Sequence, residues 1–156
     1  MPDPDRTSPE ATLAAFRDAM RARDWPGALS LLSPRAQKGL VGSAYAGAAW
    51  MEGLDDAARR SLAMLMERHG LRDPDAERTR STEELSAMLA DLDAWSRASL
   101  PADRPLDLTA SVADTSWTEF RRSGDRAYAI ATSRGRRSET RLRVQEGAWV
   151  ILASGE

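Results

Sequence analysis

The chain has 156 residues, 42% of them hydrophobic and 29% charged, with a formal net charge of −2. That suits one globular domain able to bury roughly 70% of its unfolded surface without covalent staples. Cysteine is absent, which excludes disulfides, thiolate nucleophiles and cysteine-held zinc or iron–sulfur centres, and no run approaches the ~20 apolar residues of a membrane span.

Residues 1–7, "MPDPDRT", are polar and proline-bearing and read as a disordered tail rather than a secretory signal. A cytoplasmic location is the expectation, with export left open. Residues 8–156 then read as a single α+β domain, helical over 8–98 and a β-meander over 106–154. Ser8-Pro9-Glu10 is a helix start: a side-chain cap, a proline for the first turn, and an acid near the positive end of the helix dipole. Leu13, Phe16 and Met20 follow at helical spacing. Asp24 caps a second, short helix bearing Trp25, Ala28 and Leu29, which Ser33-Pro34 ends while opening a third.

From 34 to 53 three glycines, Gly39, Gly42 and Gly47, weaken the helical pattern at about 1 kcal/mol each relative to alanine. Leu40, Ala44, Tyr45, Ala48 and Ala49 still keep an apolar stripe. The small residues would admit a close backbone or leave room for a ligand. Asp55 or Asp56 opens the next helix, with Leu62, Leu65 and Met66 before a Gly70 terminator. After the charged stretch "LRDPDAERTR", Ser81 and Glu84 form a capping box for a helix carrying Leu85, Met88, Leu89, Leu92 and Trp95.

Beyond Pro105 the period becomes two, with Leu106, Leu108, Ala110 and Val112 on one side. Trp117 and Phe120 fall out of step with one another, and a bulge near Asp114-Thr115 would account for it. Gly124-Asp125, Arg134-Gly135 and Glu146-Gly147 are hairpin turns. They divide strands over Ser116–Ser123, Arg126–Ser133, Arg136–Gln145 and 148–153. Helices followed by an antiparallel meander define the α+β class, with the helices expected to roof the sheet.

Two blocks of the chain carry a family likeness. "SPEATLAAFRDAMRARDWPGALSLLSPRA" has a proline-glutamate start, a phenylalanine-bearing helix, an Asp-Trp turn and a Leu-Leu-Ser-Pro ending. "SGDRAYAIATS" with "RLRVQEGAWVIL" supplies closing strands in which a glycine turn precedes an aromatic residue. Together, over about half the chain, they resemble bacterial members of the nuclear-transport-factor-2-like superfamily. The resemblance implies a strongly curved sheet wrapped round helices into a cone with a hydrophobic cavity. It also implies a choice between cofactor-independent enzymes, of the ketosteroid-isomerase, dehydratase or polyketide-cyclase type, and non-catalytic binding or dimerisation modules. The wholly helical stretch 40–98 departs from the layout of that family.

An acid–base enzyme of that kind needs a carboxylate or histidine in the cavity and a group to stabilise an oxyanion. The candidates are Asp114 at the expected bulge, His69 as the lone histidine, and Tyr128, which shares parity with Ile130 and is expected to face the helices. Each has a plainer reading: an Asx turn for Asp114, a helix-end contact for His69, and a core phenol for Tyr128. No motif orders them into a dyad. Candidate lining residues for a small apolar or amphipathic ligand are Tyr45, Trp50, Trp95, Tyr128 and Ile130.

"DPDAE", residues 73–77, offers oxygens but lacks the spacing of a calcium loop. With one histidine and no cysteine, neither a metal nor a cofactor is expected, and phosphate-binding glycine motifs are absent.

Residues 120–143 hold eight arginines against Asp125 and Glu139, whereas residues 1–119 carry 14 basic and 20 acidic side chains. Arg136, Arg137, Arg141 and Arg143 are the candidate anion-binding set, Arg141 and Arg143 lying opposite Leu142 and Val144. Nucleic acid is disfavoured, because Tyr128 and Trp149 are expected to be buried rather than free to stack bases. The last strand is apolar on both parities and must be covered on both faces, so a homodimer through the sheet is expected. A non-catalytic binding or interaction module is the leading reading. A cofactor-independent lyase or isomerase comes next, and anion or nucleic-acid binding through the arginine face third.

Overall fold

The computed structural model describes residues 6–71, 80–101, 108, 112 and 114–156. It is an α+β chain, five helices preceding a four-stranded antiparallel sheet of strand order β1-β2-β3-β4. Two compact units divide it at Gly39 and Leu40 and again at Leu108 and Thr109.

The first unit begins with α1, Pro9–Arg21. The Ser8 hydroxyl accepts the Ala11 N–H at 3.1 Å, and Leu13, Phe16 and Met20 are buried. In α2, Trp25–Ser30, the Asp24 carboxylate accepts the Gly27 N–H at 3.1 Å. Gly27 has a second reason to be glycine there: a methyl group at that position would collide with the Asp24 carboxylate itself. The next helix, α3 (Pro34–Ala49), starts here and runs on into the second unit. Ser33 accepts the Ala36 N–H at 3.2 Å. Buried Gln37 donates to the Leu29 and Leu32 carbonyls at 2.9 and 3.2 Å, tying α3 to the end of α2.

The sheet comprises β1 (Ser116–Ser123), β2 (Arg126–Ser133), β3 (Arg136–Gln145) and β4 (Ala148–Ile151). Its hairpin turns fall where the glycines placed them. At Arg134-Gly135 and Glu146-Gly147 both turn residues have positive φ, the backbone twist that suits a two-residue hairpin. The sheet's inner face is a row of alanines, Ala127, Ala129 and Ala131, beside Leu142, all buried. Helix α1 packs on α2 and on β4. The far edge of β4 is closed by the chain leaving α2: Ile151 N–H donates to Leu31 O and Ser33 N–H to Ile151 O, both at 2.8 Å.

Several details differ from expectation. The bulge lies not at Asp114-Thr115 but between Thr118 and Arg121, where Glu119 takes a left-handed φ of 55° and, with Phe120, opposes a single residue of β2. One extra residue there explains the change of parity between Trp117 and Phe120. Of the alternating stretch 106–112, only Leu108 and Val112 are described; Leu108 lies in a turn and Val112 in a helical turn whose carbonyl accepts the Thr115 N–H. The other members, like the bulk of the tail (residues 1–5), lie outside the described residues. Arg6, by contrast, is tied down, its guanidinium donating to Trp149 O at 3.2 Å. Trp149, Val150, Ile151 and Leu152 are all buried within one chain. The apolar strand is therefore covered on both parities and does not itself call for a second copy.

The second unit holds the rest of α3 with α4 (Asp56–Arg68) and α5 (Thr82–Ser99), the last two packed together. Asp55 and Ser81 cap them through Ala58 N–H and Glu84 N–H. Trp95 bridges the pair, its indole N–H donating to Ser61 Oγ at 2.9 Å and to Ala58 O at 3.3 Å. The glycines of α3 admit no close backbone: a methyl at Gly39, Gly42 or Gly47 would have nothing within 4 Å. Among the described residues no helix is long and apolar enough to cross a membrane.

Two stability experiments follow from these contacts. Asp24→Ala is expected to cost about 1 kcal/mol through loss of the cap. Gly27→Ala should give no gain in the native chain, where the methyl displaces the capping carboxylate. On the Asp24→Ala background it should stabilise by up to about 1 kcal/mol through helix propensity. Denaturant unfolding of the four proteins checks the reversal.

The second experiment concerns Glu156, whose carboxylate accepts Ser33 Oγ–H and Ala153 N–H, both at 2.6 Å. Burial pushes its pKa up, but those bonds, with Arg143 and Arg35 nearby, outweigh burial and hold it below the usual carboxylate range. A lowered folded-state pKa gives stability that is complete above the ordinary carboxylate pKa and lost as pH falls through the lowered one. Glu156→Gln should thus cost at most about 1 kcal/mol at neutral pH, since water screens the group. The difference between the two proteins should close in acid, as read by thermal melts across pH.

Candidate functional site

Register decides what the outer face of the sheet presents. Ala127 lies opposite Leu142 on the buried side, so the intervening residues of both strands must face outward. Cross-strand partners then fall into rows. In one row Arg121 of β1, Tyr128 of β2 and Arg141 of β3 lie side by side; in the next, Ser123, Arg126 and Arg143 do. Further along come Thr118, Ile130 and Glu139, then Ser116, Thr132 and Arg137. Above these rows lies an open concavity of about 700 Å³, with Arg121, Tyr128, Ile130, Glu139 and Arg141 in its lining.

The charges on this face are unevenly matched. Arg137 pairs with Glu119 across β2, and Arg141 Nε donates to Glu139 at 2.6 Å. That bond, followed by the charge of Glu139, raises the pKa of Arg141 further. The Arg141 guanidinium also lies 5.9 Å from the centre of the Tyr128 ring, within cation–π range. Arg121 and Arg126 have no acidic partner among the described residues. Arg126 and Arg143 are directly opposite one another, an arrangement that is destabilising for like charges on a sheet. Arg122 is on the other parity and lies over the Trp149 ring, 5.0 Å from its centre.

The expected site residues differ in setting. Tyr128 does not face the helices; it is on the outer face, 37% exposed, and half-buried Ile130 is beside it. The methyls of the three alanines occupy the inner positions of β2, which turns the two larger apolar side chains outward. Tyr45 is 2% exposed, and its hydroxyl donates to Met88 O at 2.6 Å. Burial, then the charge of Asp91, raises its pKa far above the usual phenol range, so it is a core residue. Trp95 is a core residue too, and Trp50 is 85% exposed.

Asp114 is exposed in a turn. The His69 backbone N–H donates to Leu65 O at 3.3 Å at the end of α4, but its ring is turned to another helix. Its Nε2 meets Asp91 of α5 at 2.8 Å, while Arg80 donates to the His69 carbonyl at 3.0 Å. Within the first unit, no hydrogen bond among the described residues joins Asp114 to Tyr128. Arg136 is exposed at the β2–β3 turn, away from the outer rows. The "DPDAE" stretch lies outside the described residues, and no cluster that could hold a metal ion occurs among the described ones.

Arg121 and Arg126 complete the cationic rows and were not in the expected anion-binding set. The signal was present: the two-residue turn at Gly124-Asp125 fixes Ser123 opposite Arg126, and counting back two residues from the turn places Arg121 opposite Tyr128.

Fold and surface together define an α+β chain with a cationic, tyrosine-centred sheet face. Comparison with protein-family models, curated proteins and solved structures gives no match.

The opposed arginines generate a test that needs no ligand. Replacing one by an acid turns a repulsive cross-strand pair into an attractive one, so Arg126→Glu should raise stability by about 0.2–1 kcal/mol at low salt. The gain should shrink as salt is added. Thermal or urea unfolding of the two proteins reads it directly.

Proposed function

We propose that this chain is a non-catalytic interaction module that takes up an anionic partner on the outer face of its sheet. The observation that carries the reading is the placement of Arg126 directly opposite Arg143, one row from the Arg121–Tyr128–Arg141 row. Like charges placed opposite one another on a sheet are destabilising, and an anion bound over Arg121 and Arg126, which have no acidic partner among the described residues, would offset that cost. The partly exposed tyrosine adds an apolar surface in the middle of the charges.

Asp114 stands exposed in a turn and the His69 ring is engaged by Asp91, which supports a binding role over acid–base chemistry. The bonded, buried state of Tyr45 and Trp95 supports a binding surface outside the core rather than a ligand cavity lined by them. Two N-terminal helices followed, after a helical insert, by a closing meander support kinship with the nuclear-transport-factor-2-like superfamily.

Inorganic polyphosphate is a suitable first probe because it offers charge without shape. Calorimetric titration should show binding at low ionic strength that weakens steeply as salt rises. Arg121→Glu with Arg126→Glu should reduce the affinity roughly tenfold or more. Absence of binding at low salt, or affinity unchanged by the double reversal, would overturn the reading.

A further inference from the structure

We infer that the partner on this face is an acidic polypeptide segment carrying an apolar side chain between its carboxylates. The inference rests on the reading of the sheet face as an anion-binding surface and names the chemistry of what binds.

The face is not uniformly positive. Arg121, Arg126 and Arg143 crowd one end, whereas Glu119 and Glu139 stand toward the other, each paired with an arginine. A phosphodiester strand carries a negative charge at every nucleotide and would bring phosphates against those two carboxylates as it crossed the sheet. A polypeptide can place acids over Arg121 and Arg126, which have no acidic partner among the described residues, and uncharged residues over the glutamates.

The apolar content of the face points the same way. Tyr128 is its one aromatic ring, with Ile130 two residues along the same strand and both in the lining of the concavity. Platforms that hold single-stranded nucleic acid stack successive bases on several aromatic rings. One tyrosine next to an isoleucine makes an apolar seat the size of a leucine or phenylalanine side chain, with guanidinium groups on either side for flanking carboxylates. The chain's net charge of −2 also offers no long-range attraction to a polyanion, so recognition depends on short-range pairing within the face.

The experiment uses the full chain and three fluorescent probes: an oligoglutamate interrupted by leucines, the same peptide with glutamine in place of glutamate, and an oligothymidylate of equal charge. Fluorescence anisotropy at low salt is expected to show the acidic peptide binding roughly tenfold or more tighter than either of the others. Arg121→Glu with Arg126→Glu should abolish the preference, and Tyr128→Ala should weaken the acidic peptide roughly three- to tenfold while leaving polyphosphate binding nearly unchanged. Arg121→Gln with Arg126→Gln, checked by thermal melt, guards against a folding defect in the reversal variant. Tighter binding of oligothymidylate than of peptide would overturn this inference while leaving an anion-binding face intact. Failure of every anionic probe, polyphosphate included, would remove both.

Discussion

The register of the meander is the constraint on which the remainder of this surface depends. Side chains of a strand alternate between faces, so a shift of one residue would carry Arg137, Arg141 and Arg143 of β3 to the inner side and Leu142 to water. Two features hold the strands in place. The turns at Arg134-Gly135 and Glu146-Gly147 put two consecutive residues at positive φ, which allows one hairpin geometry and hence one pairing. The bulge at Glu119 then absorbs an extra residue in β1, so that Trp117 and Arg121 each find the correct side although their spacing would place them together. Trp117 thereby reaches inward to donate to Thr140 Oγ1 at 3.2 Å, and Arg121 faces outward.

The alanines of β2 follow from the same geometry. A strand whose inner positions are Ala127, Ala129 and Ala131 buries little surface per residue, so the core of this unit draws its bulk from Leu13, Phe16, Met20, Leu29 and Trp149. Large side chains come from the helices and β4, and small ones from the middle of the sheet. The helical unit is organised differently. Its polar groups are drawn inward and bonded, Tyr45 to Met88, Trp95 to Ser61 and His69 to Asp91, each linking two helices. Such bonds help fix which faces of α3, α4 and α5 meet, the buried Tyr45 hydroxyl most of all, because a buried polar atom left unpaired would cost about 1–3 kcal/mol.

Local signals in the sequence carried most of the architecture. Ser8, Asp24, Asp55 and Ser81 each cap the helix their position announced, because capping is a contact between residues three apart and needs no tertiary context. The glycine turns marked the hairpins for a similar reason. What local pattern could not supply was the facing of a strand whose two parities are both partly apolar. In β2, Tyr128 and Ile130 outrank three alanines in hydrophobicity, and only the packing of the opposite side reveals that the smaller set is the buried one. The site was half legible: Arg141 and Arg143 could be placed by their alternation with Leu142 and Val144. Arg126 and Arg121 required the pairing across the Gly124-Asp125 turn. The position of the bulge was itself hidden, since a glutamate rather than a glycine adopts the left-handed conformation there.

That glutamate reaches from β1 over β2 to Arg137 on β3, and its bond consumes positive charge at one end of the sheet only. On the outer face Arg137 is thus answered within the sheet, whereas Arg121 and Arg126, nearer the other end, meet no acid among the described residues. A surface so unevenly matched distinguishes head from tail. A flexible acidic chain laid along it would settle in one polarity rather than the reverse.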